Sequence, residues 1–324
     1  MLIIIECAFS SLRAQDAVFS HYYANALYLN PAMTGIEGPG KLYIGYRNHW
    51  PGVPDSYVTY HASYEQYFEL LQGGLGLHLM NDRQASGVYN TISIDGMYAY
   101  HLRVTRALYL SGGLQASFGH RTLNWDGLVT PDMIEPGTGN ILQPTEISGD
   151  YSTSYPDFSI GLAAFYNHYF GGIAVHHLHT PHVSVTGRAY GDTTRLSRKY
   201  TLHMGAMIPV YEKRLGKEVC QLLPHLIVIQ QKSYQQLIYG LEIVYRNIVG
   251  GVWGRQDLTF SYGTIIFTVG YGTGPFRFRY SYDSRISRPD IYISNLGAHE
   301  LSLMIIFENL DKSKKHRAIK CPKI

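Results

Sequence analysis

The sequence predicts an all-β protein, a single antiparallel up-and-down β-barrel of about fourteen strands that spans a membrane. Three observations support this prediction: alternating side chains, a shortage of charged residues, and connection lengths sorted by strand parity. In residues 276–283 (FRFRYSYD), aromatic residues occupy one face, while arginine, serine and aspartate occupy the other. Residues 300–307 alternate in the same way. Because successive side chains of a strand point to opposite sides of the backbone, this period of two indicates strands.

The composition favours a membrane barrel over a soluble domain or a helical membrane protein. Charged residues make up 16% of the 324 residues, whereas soluble domains typically contain about 25%. Tyrosine, with 28 copies, is amphipathic and collects at membrane interfaces. The mean hydropathy of −0.11 suits a barrel with a polar inner face. A soluble β-sandwich remains an alternative that fractionation without detergent would reveal.

Fourteen alternating runs after residue 40 are separated by turn residues, and the lengths of their connections follow a pattern. Every long connection follows an odd-numbered strand, and every connection after an even-numbered strand is short. Alternate loops of an outer-membrane barrel lie at opposite ends, with short periplasmic turns and longer extracellular loops. The predicted strands are 40–50, 56–68, 73–82, 88–102, 106–120, 155–168, 171–179, 198–211, 219–230, 235–246, 249–256, 263–271, 275–285 and 298–308.

The two ends of the chain differ from the barrel, which we place at residues 40–308. Residues 1–14 resemble a secretory leader cleaved after Ala14. Residues 15–39 form an N-terminal segment that is a candidate plug for the lumen. Residues 309–324 form a basic tail with one acid. Its basic residues are Lys312, Lys314, Lys315, Arg317, Lys320 and Lys323. Since an even strand count returns the chain to its starting side, both termini are expected in the periplasm.

Several motifs, in their order and spacing, resemble the PorP/SprF family of Bacteroidetes outer-membrane proteins of the type IX secretion and gliding system. Asn30-Pro31-Ala32, followed by Gly35, is similar to the opening motif of that family. Arg47 to Gly52 (RNHWPG) is similar to the end of its first strand. The most specific likeness is in the last two strands, which carry Tyr280, Tyr282, Asp283, His299 and Glu300.

The resemblance implies a non-enzymatic outer-membrane barrel that helps to export large secreted proteins or to retain them at the cell surface. It implies two partners: a secreted protein with a type IX C-terminal signal and a periplasmic, peptidoglycan-associated secretion component. No cofactor and no nucleic-acid partner is expected. A porin or substrate-specific channel in the outer-membrane lipid is the alternative, because a barrel of about fourteen strands leaves room for a lumen. An N-terminal plug would block free diffusion.

Charged residues on the inner face of the last two strands form a candidate lumen charge cluster. Arg277, Arg279, Asp283 and Glu300 lie opposite the aromatic face. An arginine on the lipid face would cost about 2–4 kcal/mol at mid-depth, which places these residues inward. The cluster is interpreted either as a structural ion-pair network or as a contact to a substrate or plug. The basic tail is interpreted either as a solvated tail or as a site for anionic lipid, peptidoglycan or an acidic protein partner.

Other candidate chemistry is weak. His176, His177, His179 and His182 are close in sequence, and His177 and His179 would share a strand face. They are interpreted as polar residues at the barrel rim, with no metal. The chain contains no G-x-S-x-G motif and no recognisable catalytic triad, so no catalytic residue is predicted.

Overall fold

Each of the fourteen predicted strands overlaps a strand of the structure, which is a computed structural model. The structure describes residues 16–52, 57–124, 134–135, 137–138, 140, 150–185, 194–212, 218–259, 263–286 and 297–307. The predicted fold class is confirmed. The strands are β1 Lys41–His49, β2 Tyr57–Phe68, β3 Gly73–Gln84, β4 Tyr89–Arg103, β5 Leu108–Asn124, β6 Asp150–Tyr166, β7 Tyr169–His176, β8 Lys199–Ala206, β9 Ile208–Glu212, β10 Glu218–Gln231, β11 Tyr234–Tyr245, β12 Ile248–Gln256, β13 Gly263–Thr273, β14 Phe276–Arg285 and β15 Ala298–Ile306.

Antiparallel pairing between sequence neighbours closes these strands into a barrel. The seam lies between β1 and β15, which pair from Lys41 opposite Ile306 to His49 opposite Ala298. The sequence predicts one strand over 198–211, but the structure divides it at Met207 into β8 and β9, which both pair with β10. Pro209 has no backbone N–H to donate, and the β9–β10 register shifts. Among the described residues, fifteen segments therefore form fourteen barrel strands.

The connections lie at two distinct ends of the barrel. The short-turn end carries links such as 69–72, 104–107 and 167–168. The opposite end carries the links 125–149, 177–198 and 286–297 and is called the long-loop end here. This arrangement follows the parity pattern predicted from the sequence.

The two faces of the strands differ in the way that the alternation predicts. On β14, the outward Phe276, Phe278 and Tyr280 are exposed, whereas the inward Arg279 and Asp283 are 8% and 3% exposed. An apolar outer face suits lipid, and polar groups in a lumen avoid it. Among the described residues, no helix is long and apolar enough to cross a membrane.

The lumen contains residues 16–40, called the inner segment here. It forms three short helical turns, Tyr22–Asn25, Ala26–Leu29 and Pro31–Met33. Two further turns, Glu69–Leu71 and Ala85–Gly87, lie in strand connections. Apolar side chains of the inner segment are buried against inward-facing residues of the wall, so the hydrophobic core lies inside the barrel. Its main members are Phe19, Tyr22, Tyr23, Leu29, Ala32, Met33, Phe165, Phe170, Ile227, Ile238, Trp253 and Ile266.

The inner segment runs the length of the lumen. Gly38 accepts the Tyr67 N–H at the short-turn end. Asp16 contacts Lys199 at the long-loop end. The chain therefore passes through the barrel from the long-loop end to the short-turn end before β1 begins. For this reason, an even number of strands does not determine on which side of the membrane the residues before β1 lie. The predicted leader (1–14) and basic tail (309–324) lie outside the described residues.

Candidate functional site

The contact between the inner segment and the wall centres on Asn30, the first residue of the Asn30-Pro31-Ala32 motif. The Asn30 Oδ1 accepts the Ala32 N–H at 2.9 Å and caps the Pro31–Met33 turn. Its Nδ2 donates to the carbonyls of Leu162 at 3.1 Å and Ile173 at 3.3 Å. The same nitrogen lies 3.0 Å from His203 Nε2. One amide thus shapes the segment and fastens it to β6, β7 and β8.

Glycines on three adjacent strands make room for this motif. A Cβ at Gly113 would lie under 3.0 Å from backbone atoms of Pro31 and Ala32. A Cβ at Gly161 would meet Asn30 Oδ1 at a similarly forbidden distance. On β7, a Cβ at Gly172 would lie 2.8 Å from Asn30 Nδ2. The missing side chains allow the backbone of the segment to lie directly against the wall.

A buried charge network holds the beginning of the inner segment near the long-loop end. Asp283 Oδ2 pairs with Arg47 Nη2 at 2.9 Å and with Arg255 Nη2 at 2.6 Å. Arg47 also pairs with Glu300 at 3.1 Å. Glu300 accepts the Ser20 N–H at 2.7 Å, and Arg47 Nη1 donates to Ser20 Oγ. Carboxylates on the last two strands therefore pair with arginines of the wall and with the inner segment.

A second network joins Arg279 to other partners. Glu242 Oε1 pairs with Arg279 Nη1 at 2.9 Å and with His21 Nε2 at 2.7 Å. His21 Nδ1 accepts the Ala24 N–H at 2.9 Å, which caps the first turn of the segment. Arg277 belongs to neither network, because its Nη1 donates to the carbonyls of Gly274 and Phe276 at the short-turn end.

The four residues of the predicted lumen charge cluster are thus divided between three places. Asp283 and Glu300 share a network through Arg47, and Arg279 pairs with Glu242 on β11. Arg277 lies at the start of β14, beside the turn that precedes it. Sequence reasoning did not assign Arg47, Arg255 or Glu242 to the cluster. The alternation of each strand indicates that these three side chains face the lumen, but it does not show their partners, which lie on other strands.

The remaining motif residues of the last hairpin face outward. Tyr280 and His299 are joined by a hydrogen bond of 2.7 Å between the hydroxyl and Nδ1. The rings of Tyr282 and His299 lie 5.1 Å apart. The motif therefore has two parts: an aromatic cluster on the outer face and the carboxylates Asp283 and Glu300 on the inner face.

The histidine cluster does not have the predicted strand geometry. Strand β7 ends at His176, and His177 has a φ of 58°, so His177 and His179 do not share a strand face. His177 instead lies between two carboxylates, with Nε2 at 2.9 Å from Asp16 and Nδ1 at 2.5 Å from Asp157. Within the described ranges, no group of three or more histidine, cysteine or acidic side chains could hold a metal ion.

Electrostatics at this rim favour the charged forms of His177 and Asp16. Burial opposes the charge on His177, but Asp16 and a hydrogen bond to Asp157 outweigh it and raise the pKa of His177 to about 9. Burial likewise opposes the charge on Asp16, but His177 and Lys199 hold the pKa of Asp16 well below its usual range. These pairs anchor the start of the inner segment at the long-loop end.

This anchor predicts a pH dependence. A raised pKa gives His177 a stabilising effect that is complete below pH 6.5 and is lost as the pH rises through about 9. We expect His177→Gln to reduce the free energy of unfolding at pH 6 by on the order of 3 kcal/mol more than at pH 10. Urea unfolding in detergent measures this difference. His120→Gln, on the outer face, is the control, and an equal effect of His177→Gln at both pH values would contradict the prediction.

Together, the closed sheet, the apolar outer face and the filled lumen define a class: an outer-membrane β-barrel that contains its own N-terminal segment. Residues 11–305 match the family model described as type IX secretion system membrane protein PorP/SprF. The chain therefore belongs to the PorP/SprF family, and its place in the outer membrane follows from the family and the fold.

The solved structures that align with the chain share little sequence identity with it. The CymD monoaromatic hydrocarbon channel aligns with a TM-score of 0.52 and 14% identity, over 88% of this chain and 93% of that one. A Pseudomonas aeruginosa FadL homologue aligns with a TM-score of 0.47 and 12% identity, over 88% and 94%. A search of curated proteins finds no match to the chain.

Proposed function

We propose that this protein is a non-enzymatic component of the type IX secretion machinery that binds partner proteins and aids the export or surface retention of large secreted proteins. The observation that carries the proposal is the inner segment, which packs a hydrophobic core inside the lumen and is fastened to the wall. A barrel built in this way suits a docking platform better than a passive pore. Family membership supplies the link to secretion.

The alternative function, an outer-membrane porin or substrate-specific channel, makes a different prediction about ion flow. We expect the purified protein to show no steady conductance in planar lipid bilayers, because Asn30 and the buried networks keep the inner segment in place. A 16-stranded porin leaves an aqueous channel and serves as the positive control. Large steady currents through the wild-type protein would favour the porin function.

Partner binding is tested by copurification. The expected partners are a secreted protein with a type IX C-terminal signal and a periplasmic, peptidoglycan-associated component. We expect both to be recovered with the barrel from detergent-solubilised outer membrane. Recovery of the barrel without any secretion component, from cells that express the whole machinery, would count against the proposal.

The basic tail is proposed to dock on an acidic face of the periplasmic partner, with the short-turn end and the last strand facing the periplasm. The support is its charge: 6 of the 27 basic residues and 1 of the 24 acidic residues lie in 309–324, which leaves 21 and 23 for the rest. Deleting residues 310–324 is expected to reduce recovery of the periplasmic partner and to leave the barrel folded. A full-length variant in which the basic residues of 309–324 are changed to glutamine separates the effect of charge from the effect of length. Unchanged recovery of the periplasmic partner with both the deletion and the glutamine variant would overturn the docking model.

A further inference from the structure

A cavity of about 850 Å³ lies in the lumen beside the start of the inner segment, at the long-loop end, and is called the vestibule here. Asp16, Ala17 and Tyr28 of the inner segment line it, together with inward side chains of the wall. Its polar lining includes hydroxyl and amide groups from Thr91, Ser93, Gln115 and Ser117. Aromatic rings also contribute to the lining, from Tyr28, Trp50, Tyr57, Tyr89, Tyr155 and Tyr234.

Most of the charged groups that line the vestibule already have partners. Arg47 and Arg255 pair with Asp283, and Lys199 pairs with Asp16. The carboxylate of Asp95 pairs with His78. Asp157 pairs with His177, and Asp82 accepts hydrogen bonds from Thr59 and Gln84.

Arg121 is different. Its side chain lines the vestibule and is 5% exposed, yet it belongs to none of the ion pairs formed by the described residues. Its Nε has no hydrogen-bond partner, and its guanidinium lies over the ring of Tyr155 at 5.5 Å. A buried cation without a carboxylate is costly, and a planar guanidinium is suited to bind a carboxylate through two hydrogen bonds.

We propose that the vestibule binds an acidic oligosaccharide, with a sugar carboxylate on Arg121 and sugar rings against the neighbouring tyrosines. Tyrosine rings such as Tyr155 and Tyr89 offer apolar faces with a polar tip, which suits sugar rings that carry both C–H faces and hydroxyls. The neutral hydroxyl and amide groups of the lining can donate hydrogen bonds to sugar hydroxyls and can also accept hydrogen bonds from them. The cavity volume matches a ligand of a few sugar units.

An acidic peptide is the other ligand class that Arg121 would attract, and the sheet argues against it. Peptides commonly bind sheets by adding a strand to a free edge. At the level of Arg121, its own strand β5 and the neighbouring β4 pair along both of their edges, so their backbone groups are already used. The edge of β6 that faces β7 is paired over residues 160–166. The vestibule therefore offers side chains rather than backbone, which favours a sugar.

The test measures binding of a hexuronic-acid tetramer to the full chain in detergent by calorimetry. A neutral hexose tetramer and a tetraglutamate peptide are compared on the same wild-type protein. We expect the uronate tetramer to bind at least roughly tenfold more tightly than either comparison ligand, with an affinity that falls as salt is added. Equal binding of the neutral and acidic sugars, tighter binding of the peptide, or no binding of the uronate would overturn the proposal.

Variants of the full chain then assign the site. Arg121→Gln is expected to weaken binding of the uronate tetramer by at least roughly tenfold, and Arg121→Lys by less, since it keeps the charge but loses the planar fork. His120→Gln, on the outer face of the same strand, should bind as the wild type does. Circular dichroism and heat-dependent gel migration check that each barrel is folded. Wild-type affinity in a folded Arg121→Gln protein would overturn the assignment, and the comparison of ligands on the wild type stands even if this variant does not fold.

Discussion

Changing Gly113 to valine is expected to release the inner segment and open the barrel to ions. Gly113 points into the lumen, where a Cβ would meet the backbone of Pro31 and Ala32 at under 3.0 Å. Backbone atoms cannot rotate away as a side-chain tip can, and overpacking already costs about 1–3 kcal/mol in ordinary cores. The segment must therefore leave its place on the wall.

Planar-bilayer recording measures this effect directly. We expect steady single-channel currents from Gly113→Val and a closed baseline from the wild type. Gly112→Val is the matched control, because Gly112 is the adjacent residue and a Cβ there would meet only Leu162 Cδ2, at 3.7 Å. A folded Gly113→Val protein that remains closed, or a Gly112→Val protein that conducts equally, would show that the Asn30 motif does not seal the lumen.

Replacing Asp283 by alanine is expected to cause the largest loss of stability in the charge networks. Asp283 is the shared partner of Arg47 and Arg255, and its removal leaves Arg255 without its carboxylate and Arg47 with only Glu300. Breaking a buried ion pair from one side typically costs about 3–5 kcal/mol, because a charge remains buried without compensation. Urea unfolding in detergent measures the loss.

Arg277→Ala provides the control for charge removal on the same strand. Arg277 faces the same side of β14, but its guanidinium donates to the carbonyls of Gly274 and Phe276 and joins no ion pair among the described residues. Its loss should therefore change the free energy of unfolding by within about 0.5 kcal/mol. Similar losses in the two variants would contradict the assignment of Asp283 to a buried network. The double variant Arg255→Leu with Asp283→Leu should recover part of the loss, since it removes Arg255 together with its carboxylate and leaves Arg47 paired with Glu300.

Local patterns in the sequence predicted the strands, whereas long-range pairing decided where one of them breaks. Alternation in residues 276–283 was sufficient to predict β14 and its two faces, because lipid on one side and a polar lumen on the other impose a period of two. Parity of the connections was sufficient to predict an up-and-down barrel. The break at Met207 was not predicted, since it depends on how β9 pairs with β10.

For the candidate site, the sequence predicted which residues matter better than it predicted their partners. The resemblance singled out Asn30, Asp283 and Glu300, and the structure places all three where the inner segment meets the wall. The sequence grouped Arg277 and Arg279 with the two carboxylates because all four share a strand face. Each charged side chain pairs with residues at the same level along the barrel axis, and those residues come from other strands. The alternation within one strand shows which face a residue occupies but not its partner.

The sequence by itself thus determined the class of fold, the strands, the lipid and lumen faces and the family. The sequence offered residues 15–39 as a candidate plug, and only the tertiary structure decided that the inner segment packs a core inside the lumen. Tertiary structure also decided that Asp283 lies between Arg47 and Arg255, and that Arg121 remains without a carboxylate among the described residues. The physical reason is separation along the chain. Strand patterns arise between neighbouring residues, whereas the Ser20 to Glu300 hydrogen bond joins residues 280 positions apart and exists only once the barrel has closed around the inner segment.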